Sequence, residues 1–285
     1  MLVNKICIGT VQFGIPYGIN NSFGIPTINE IISIFKSGQQ AGINTLDTAN
    51  AYGDAEFKLG EFAGSNYKVI TKFSKVTSEV ALENEFKFSL KNLKKKKVYG
   101  YLAHSGDTLI SNPNLWLVLK KAKEEKKIKK IGYSLYSPEQ LEKLLDLKLI
   151  PDLVQLPYSL LDRKFESYFP ILKKLGTEIH VRSVFLQGLY FMNPLGLPSK
   201  LDSLKGPILD LHDLCKRNNT DIGSLAINYA ISNPNIDKVV VGIDSLYQLK
   251  ENIKAIQSWK HGTTLNHFVK DINVEKKELL NPANW

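Results

Sequence analysis

Apolar positions along this chain fall in two alternating patterns. Short apolar runs bounded by Gly, Pro, Asn or Asp read as strands at 5–9, 45–47, 68–72, 99–104, 130–134, 153–156, 178–183 and 238–242. Between them, apolar residues recur three or four positions apart, the period of one helix face. Those stretches predict helices over 28–41, 55–62, 80–93, 114–126, 138–145, 165–175, 207–217 with 222–232, and 247–256. Up to the seventh, strands return every 20 to 45 residues or so, the spacing of strand–helix units.

Local signals mark the helix ends. Gly42 follows the first helix as a C-terminal cap glycine would. Ser137-Pro138-Glu139-Gln140 offers an N-cap, a proline in the first turn and an acid behind it. Pro234 stops the helix before it. No Ser/Gly linker divides the chain. Eight strands alternating with helices predict one closed (β/α)₈ TIM barrel, an α/β single domain over residues 1–285 with 258–285 as a C-terminal tail. A doubly wound sheet is the competing fold, weakened because no G-x-G-x-x-G stands in the first strand-to-helix turn. The connection over 184–205 is long for a compact domain, and such loops are usually functional.

Composition narrows the class. Hydrophobic residues are 43% and charged residues 23% of 285, which suits a globular protein with a large core. No apolar run is long enough to span a bilayer, and Met1 to Ile6 is too short for a signal peptide. Cys7 and Cys215 fit no metal or redox spacing, so two buried reduced thiols in a cytoplasmic protein are expected, with no metal and no membrane. The net charge is +9, yet only three of 37 basic residues are Arg: Arg163, Arg182 and Arg217. Base and phosphate readout favour Arg, so nucleic acid is not the expected partner. The Lys-rich stretches 94–97 and 120–130 sit at helix ends and read as solvated termini, while the excess charge suits anionic small molecules.

Candidate chemistry clusters at strand ends. Asp47 closes the second strand and Tyr52 follows in its loop; Lys72 closes the third and His104 the fourth. A barrel gathers such residues at one rim. A lone Tyr in a loop, or a lone His at a strand end, is ordinary structure; the order and context of all four carry the signal. Together they supply what carbonyl reduction requires. The phenol gives a proton, the ammonium lowers its pKa, the carboxylate holds the ammonium, and the imidazole orients the carbonyl.

The segment Gly42-Ile43-Asn44-Thr45-Leu46-Asp47-Thr48-Ala49-Asn50-Ala51-Tyr52-Gly53 resembles the signature of the aldo-keto reductase family, as do Lys72, His104 and Gly132-Tyr133-Ser134. Gln155, and Gly242 through Glu251-Asn252, extend the resemblance over nearly the whole chain. It implies a (β/α)₈ barrel reducing a small carbonyl compound with NADPH or NADH, Tyr52 being the proton donor. By the same resemblance Ser134 and Gln155 meet the nicotinamide carboxamide, and Gly9, Thr10 and Gly242 belong to the cofactor cleft. Ser183, Leu186 and Gln187 approach the pyrophosphate, and Gln248, Glu251 and Asn252 the adenosine.

Three positions depart from the family pattern. Leu135 replaces an Asn, Arg182 stands where an aromatic ring usually stacks on the nicotinamide, and Asp244 replaces a basic residue that binds a 2′-phosphate. A carboxylate at 244 would repel that phosphate and favour a ribose hydroxyl. The substrate pocket is expected from Gln12, Phe13 and Tyr17 after the first strand, and from Phe185, Tyr190 and Phe191 after the seventh. Gly9 to Gly18 and Arg182 to Gly188 are similar to a bacterial subgroup often encoded with surface-glycan biosynthesis, which implies a sugar or sugar derivative. A monomer or weak homo-oligomer is expected. Two other readings stand beside this one: a barrel lyase or aldolase using Lys72 as a Schiff base, and a non-catalytic nicotinamide-binding regulator.

Overall fold

Eight parallel strands close in chain order: β1 (Ile6–Gly9), β2 (Thr45–Asp47), β3 (Lys68–Phe73), β4 (Val98–Ala103), β5 (Ile128–Ser134), β6 (Leu153–Pro157), β7 (Glu178–Arg182) and β8 (Lys238–Gly242). In this computed structural model, which describes residues 2–21 and 24–285 and so leaves Met1 outside, β1 pairs with both β2 and β8, so no strand edge is left open. Each expected strand is present, two with the expected ends and the others with ends moved by one or two residues. The doubly wound sheet is excluded by this closure.

The helices follow the apolar stripes. Ile28–Gln40 is capped by Thr27, whose hydroxyl accepts from Glu30 N, and it ends before Gly42 at φ +83°. Ser137 begins Pro138–Asp146, and Gln140 Oε1 accepts from Ser137 N, closing a capping box. The expected helix at 165–175 splits into a 3₁₀ turn, Glu166–Tyr168, and an α-helix, Phe169–Lys174. Pro170 has no N–H to continue the ladder between them.

Among the described residues three α-helices were not legible from the pattern: Val11–Gly14, Gly106–Ser111 and Leu265–Asp271. Each is too short for a helical period to show. The connection after β7 is not a plain loop either. It winds through 3₁₀ turns at Leu186–Phe191, Pro194–Gly196 and Ser199–Leu204. The tail is tied to the barrel by Arg163, which donates to the carbonyls of Val269 (3.0 Å) and Ile272 (2.9 Å).

The core divides in two. The large apolar layer lies between the strands and the surrounding helices. Inside the barrel, a separate small cluster of Ile70, Leu102 and Leu153 forms a plug. Strand side chains alternate in direction, so residues two apart share a face. One step above this plug the inward positions are polar: Asp47, Lys72, Ser134, Gln155 and Arg182, with Gly9 and Gly242 bare between them. Below it, Glu178 accepts from Tyr99 (2.7 Å), pairs with Lys130 (2.9 Å) and meets the fully buried His180 (2.7 Å). The apolar middle separates two polar ends, and the upper one opens into a cleft.

Candidate active site

Parallel pairing sets the height of each group. Gly9 and Asp47 are partners, and Asp47 pairs with Ile70, two residues before Lys72. β2 ends at Asp47 while β3 runs on to Phe73, so Lys72 can reach back across the gap. Its Nζ donates to Asp47 Oδ2 (2.6 Å) and to Thr48 O (2.9 Å). Both partners are buried, Asp47 at 3% and Lys72 at 1% exposure. On the other carboxylate oxygen, Gln155 Nε2 donates to Oδ1. Ser134 and Gln155 are paired neighbours on β5 and β6.

Tyr52 stands over this pair. Lys72 Nζ lies 5.1 Å from the centre of its ring, and His104, just past the end of β4, meets the ring edge-on at 5.5 Å between centroids. The four residues named from strand order therefore share one wall of one cleft. Burial works against the charge on Lys72, but Asp47 and Tyr52 outweigh it and hold the ammonium above its ordinary pKa. Such an amine is protonated and a poor Schiff-base nucleophile. Burial, with Lys72 and Arg182 adding to it, drives His104 down to about 3, so the imidazole is neutral at physiological pH. Burial also raises Tyr52, while Lys72 pulls it down; burial wins. Lys72 acts in the expected direction, but the net value is not lowered, because Tyr52 is removed from water and Asp47 offsets part of the cation.

The loop bearing Tyr52 is fixed by a close backbone approach. A Cβ on Gly14 would lie 1.7 Å from Tyr52 O, and one on Gly53, at φ +56°, would lie 2.5 Å from Gly14 O. Only two glycines allow these chains to touch. Gly14→Ala is expected to destabilise the fold by about 1–3 kcal/mol and to lower turnover by roughly 10²-fold through displacement of Tyr52. Thermal unfolding and turnover of the variant test this; wild-type values in both would remove the role given to Gly14.

The cleft has a volume of about 810 Å³ and runs from Tyr52 past Gly242 to Asn252. Gly9, Thr10, Ser134, Gln155, Arg182, Ser183, Gln187, Gly242, Asp244, Gln248, Glu251 and Asn252 all line it, as do Gln12, Tyr17, Phe185 and Phe191. Three expected residues do not. Phe13 is buried edge-on against Phe35 (5.7 Å) because its helical turn points it into the outer core. Tyr190 is buried, donating to Ser159 Oγ (2.9 Å) and accepting from Leu161 N (3.2 Å), which anchors the β7 loop from beneath. Leu186 is also buried in the outer core, so its side chain does not reach the cleft. Alternation fails as a guide here because the loop is not a strand: Ser183, Leu186 and Gln187 all take positive φ.

Sequence reading missed several lining residues. Ile15, Asn20 and Asn21 come from the β1 loop, and Tyr136 follows β5. Asp221, Gly223 and Ser224 come from the start of the helix Ile222–Ile231. Tyr136 had a signal, an aromatic directly after a strand end and before an N-cap; the others had none, since distant segments deliver them. Tyr17 Oη accepts from Gln187 Nε2 at 2.7 Å, joining the β1 and β7 loops across the cleft. Arg182 reaches over β6 to Ser134 Oγ (3.3 Å) and Leu135 O (2.9 Å), its guanidinium 4.4 Å above the Tyr136 ring.

A dinucleotide fits the chemistry of this lining. Asp244 Oδ1 and Gln12 Oε1 are buried and lack a hydrogen-bond donor, which ribose hydroxyls and a carboxamide can supply. Gly242 keeps the wall thin, since a Cβ there would lie 2.3 Å from Gln12 Nε2. Among the described residues no group of acids, His and Cys could hold a metal, and no helix is long and apolar enough to cross a membrane.

Comparison with known proteins bears on the family and the fold. The Aldo/keto reductase family model matches residues 5–261. The chain is 23% identical over 252 residues to the uncharacterized oxidoreductase YqkF of Bacillus subtilis (strain 168), covering 80% of this chain and 82% of that protein. The holo form of the aldo-keto reductase AKR11C1 from Bacillus halodurans superposes with a TM-score of 0.78 at 21% identity, over 95% of this chain and 94% of that one. The glycerol dehydrogenase AKR11B4 from Gluconobacter oxydans gives 0.73 at 18% identity, over 94% and 90%.

Proposed function

Because the chain belongs to the aldo/keto reductase family, and so is an NAD(P)H-dependent oxidoreductase, we propose that it reduces an aldehyde or ketone with Tyr52 as proton donor. The observation that carries this is the shared wall formed by Asp47, Tyr52, Lys72 and His104 at successive strand ends. A reduced nicotinamide bound in the cleft would supply the hydride. The chain's own groups manage the charge that develops on the carbonyl oxygen. Tyr52 donates its proton to that oxygen, and the Lys72 ammonium beside the ring stabilises the phenolate that remains. Neutral His104 offers an N–H to the same oxygen without competing for the proton. Asp47 keeps Lys72 charged and fixed. Water restores the phenol.

Gln155, Ser134, Ser183 and Gln187 would hold the nicotinamide and phosphate end of the cofactor, and Asp244, Gln248, Glu251 and Asn252 the adenosine end. Asp244 Oδ2 accepts from Gln248 Nε2 at 3.3 Å, but Oδ1 has no donor, and this open oxygen favours a free ribose hydroxyl over a phosphate, so NADH should bind better than NADPH. Asp244→Arg is expected to shift the ratio of the two affinities toward NADPH by at least about tenfold. Fluorescence titration of both cofactors into wild type and variant checks it; an unchanged ratio would mean that residue 244 does not face the ribose.

Tyr17, Phe185 and Phe191 give the substrate end aromatic walls that suit the apolar faces of a sugar or sugar derivative. A cytoplasmic location and a monomer or weak homo-oligomer complete the proposal. Purified protein is expected to oxidise NADH or NADPH in the presence of small aldehydes; failure to bind or oxidise either cofactor sinks the reading.

A further inference from the structure

The cleft contains a cation that the proton-transfer wall does not use. Arg182 lines the cleft at the end of β7, and no carboxylate among the described residues pairs with it. Asp162, which feels its charge, is already bound to Lys164 at 2.6 Å. The guanidinium is held in place all the same. Nε donates to Ser134 Oγ (3.3 Å), Nη2 to Leu135 O (2.9 Å) and Nη1 to Ser183 Oγ (3.4 Å), and Tyr136 lies under its plane at 4.4 Å. Five N–H groups minus these three leaves two, one on each terminal nitrogen. A guanidinium with a free N–H on each terminal nitrogen can take a carboxylate or phosphate by two bonds.

Its place is at the reacting end. Tyr52 and His104 line the same cleft and feel the charge of Arg182, as does Tyr17. A half-buried, rigid and unpaired guanidinium is costly unless an anion completes it. The surrounding groups cannot do so: Ser134, Ser183, Tyr136, Tyr17 and Gln187 are neutral, and Lys72 is cationic. The overall charge of +9 helps an anionic molecule arrive.

We propose that Arg182 is a specificity residue that binds an anionic group, carboxylate or phosphate, on the carbonyl substrate. This rests on the reductase reading above. The substrate class becomes a short oxo acid or a phosphorylated aldehyde, the anion lying within one small molecule's length of the carbonyl.

The test uses matched probes: butanal against 4-oxobutanoate, and glyceraldehyde against glyceraldehyde 3-phosphate. Wild type should reduce the anionic member of at least one pair about 10- to 100-fold more efficiently, and whichever pair shows the larger ratio identifies carboxylate or phosphate. Arg182→Leu should bring that ratio to about one, whatever change it makes in kcat/KM for the neutral probes, and Arg182→Lys should restore part of it. Equal efficiency for both members in wild type overturns the proposal. So does an Arg182→Leu variant whose losses are the same for charged and neutral probes and follow weakened NADH binding, which would make Arg182 a cofactor residue. If no probe is reduced at all, the reductase reading fails. Titration of succinate against succinamide into wild type and Arg182→Leu then decides this proposal by itself, since only the dianion should bind and only to wild type.

Discussion

Tyr52→Phe is expected to lower kcat for carbonyl reduction by about 10²- to 10⁴-fold, the range for loss of a positioned acid, while the protein stays folded and binds its cofactor. Both halves follow from the geometry. Among the described residues no hydrogen bond is made to the Tyr52 hydroxyl, so its removal orphans no buried partner there. The ring keeps its edge contact with His104 and its place beside Lys72. What disappears is the proton. Burial holds the Tyr52 phenol above its ordinary pKa of about 10. The donor is therefore loaded throughout the neutral and mildly alkaline range, and reduction should show no Tyr52-linked decline there. Alcohol oxidation needs the phenolate, so its rate should climb as pH rises. Steady-state kinetics in both directions, with fluorescence titration of the cofactor, make the comparison. Near wild-type kcat in Tyr52→Phe would end the assignment, and lost turnover with lost cofactor binding would point to a structural role.

Lys72→Met is expected to destabilise the protein by about 3–5 kcal/mol, the cost of leaving a buried charge without its partner. Asp47 is buried, and Lys72 supplies the donor to its Oδ2; only Gln155 remains on the other oxygen. Thr48 O loses its donor too. Adding Asp47→Asn to Lys72→Met removes the stranded charge, so the double variant should recover most of the loss. It should remain inactive, because neither residue can then support a phenolate at Tyr52. Denaturant titration and turnover on the three proteins separate the effects. A single variant as stable as wild type would show that the pair is hydrated. An active double variant would show that Tyr52 works without it.

The candidate site was legible where strand register carried it. Asp47, Lys72, His104, Ser134 and Gln155 sit at strand ends, and a parallel barrel must bring strand ends to one rim. Phe13, Leu186 and Tyr190 were misread because they lie on turns, where neither the period of a strand nor that of a helix says which way a side chain points. Phe13 fills space against Phe35, and Tyr190 props the β7 loop through Ser159 and Leu161. Ser224 and Asn20 were invisible for the opposite reason: polar residues after a helix cap or in a loop look alike whether or not a cleft is beside them.

By itself the amino-acid order determined the alternation of strands and helices, the closed barrel and the identity of the four candidate groups at its rim. Those depend on local periodicity and on chain-order pairing, which short-range patterns encode. Tertiary structure alone decided the electrostatics. Burial raises Tyr52 against the pull of Lys72, keeps His104 neutral, and leaves Asp244 Oδ1 without a donor. It also left Arg182 held but unpaired. Desolvation and charge pairing act between groups far apart in the chain, and their strength is set by distances and dielectric surroundings that exist only once the barrel has closed.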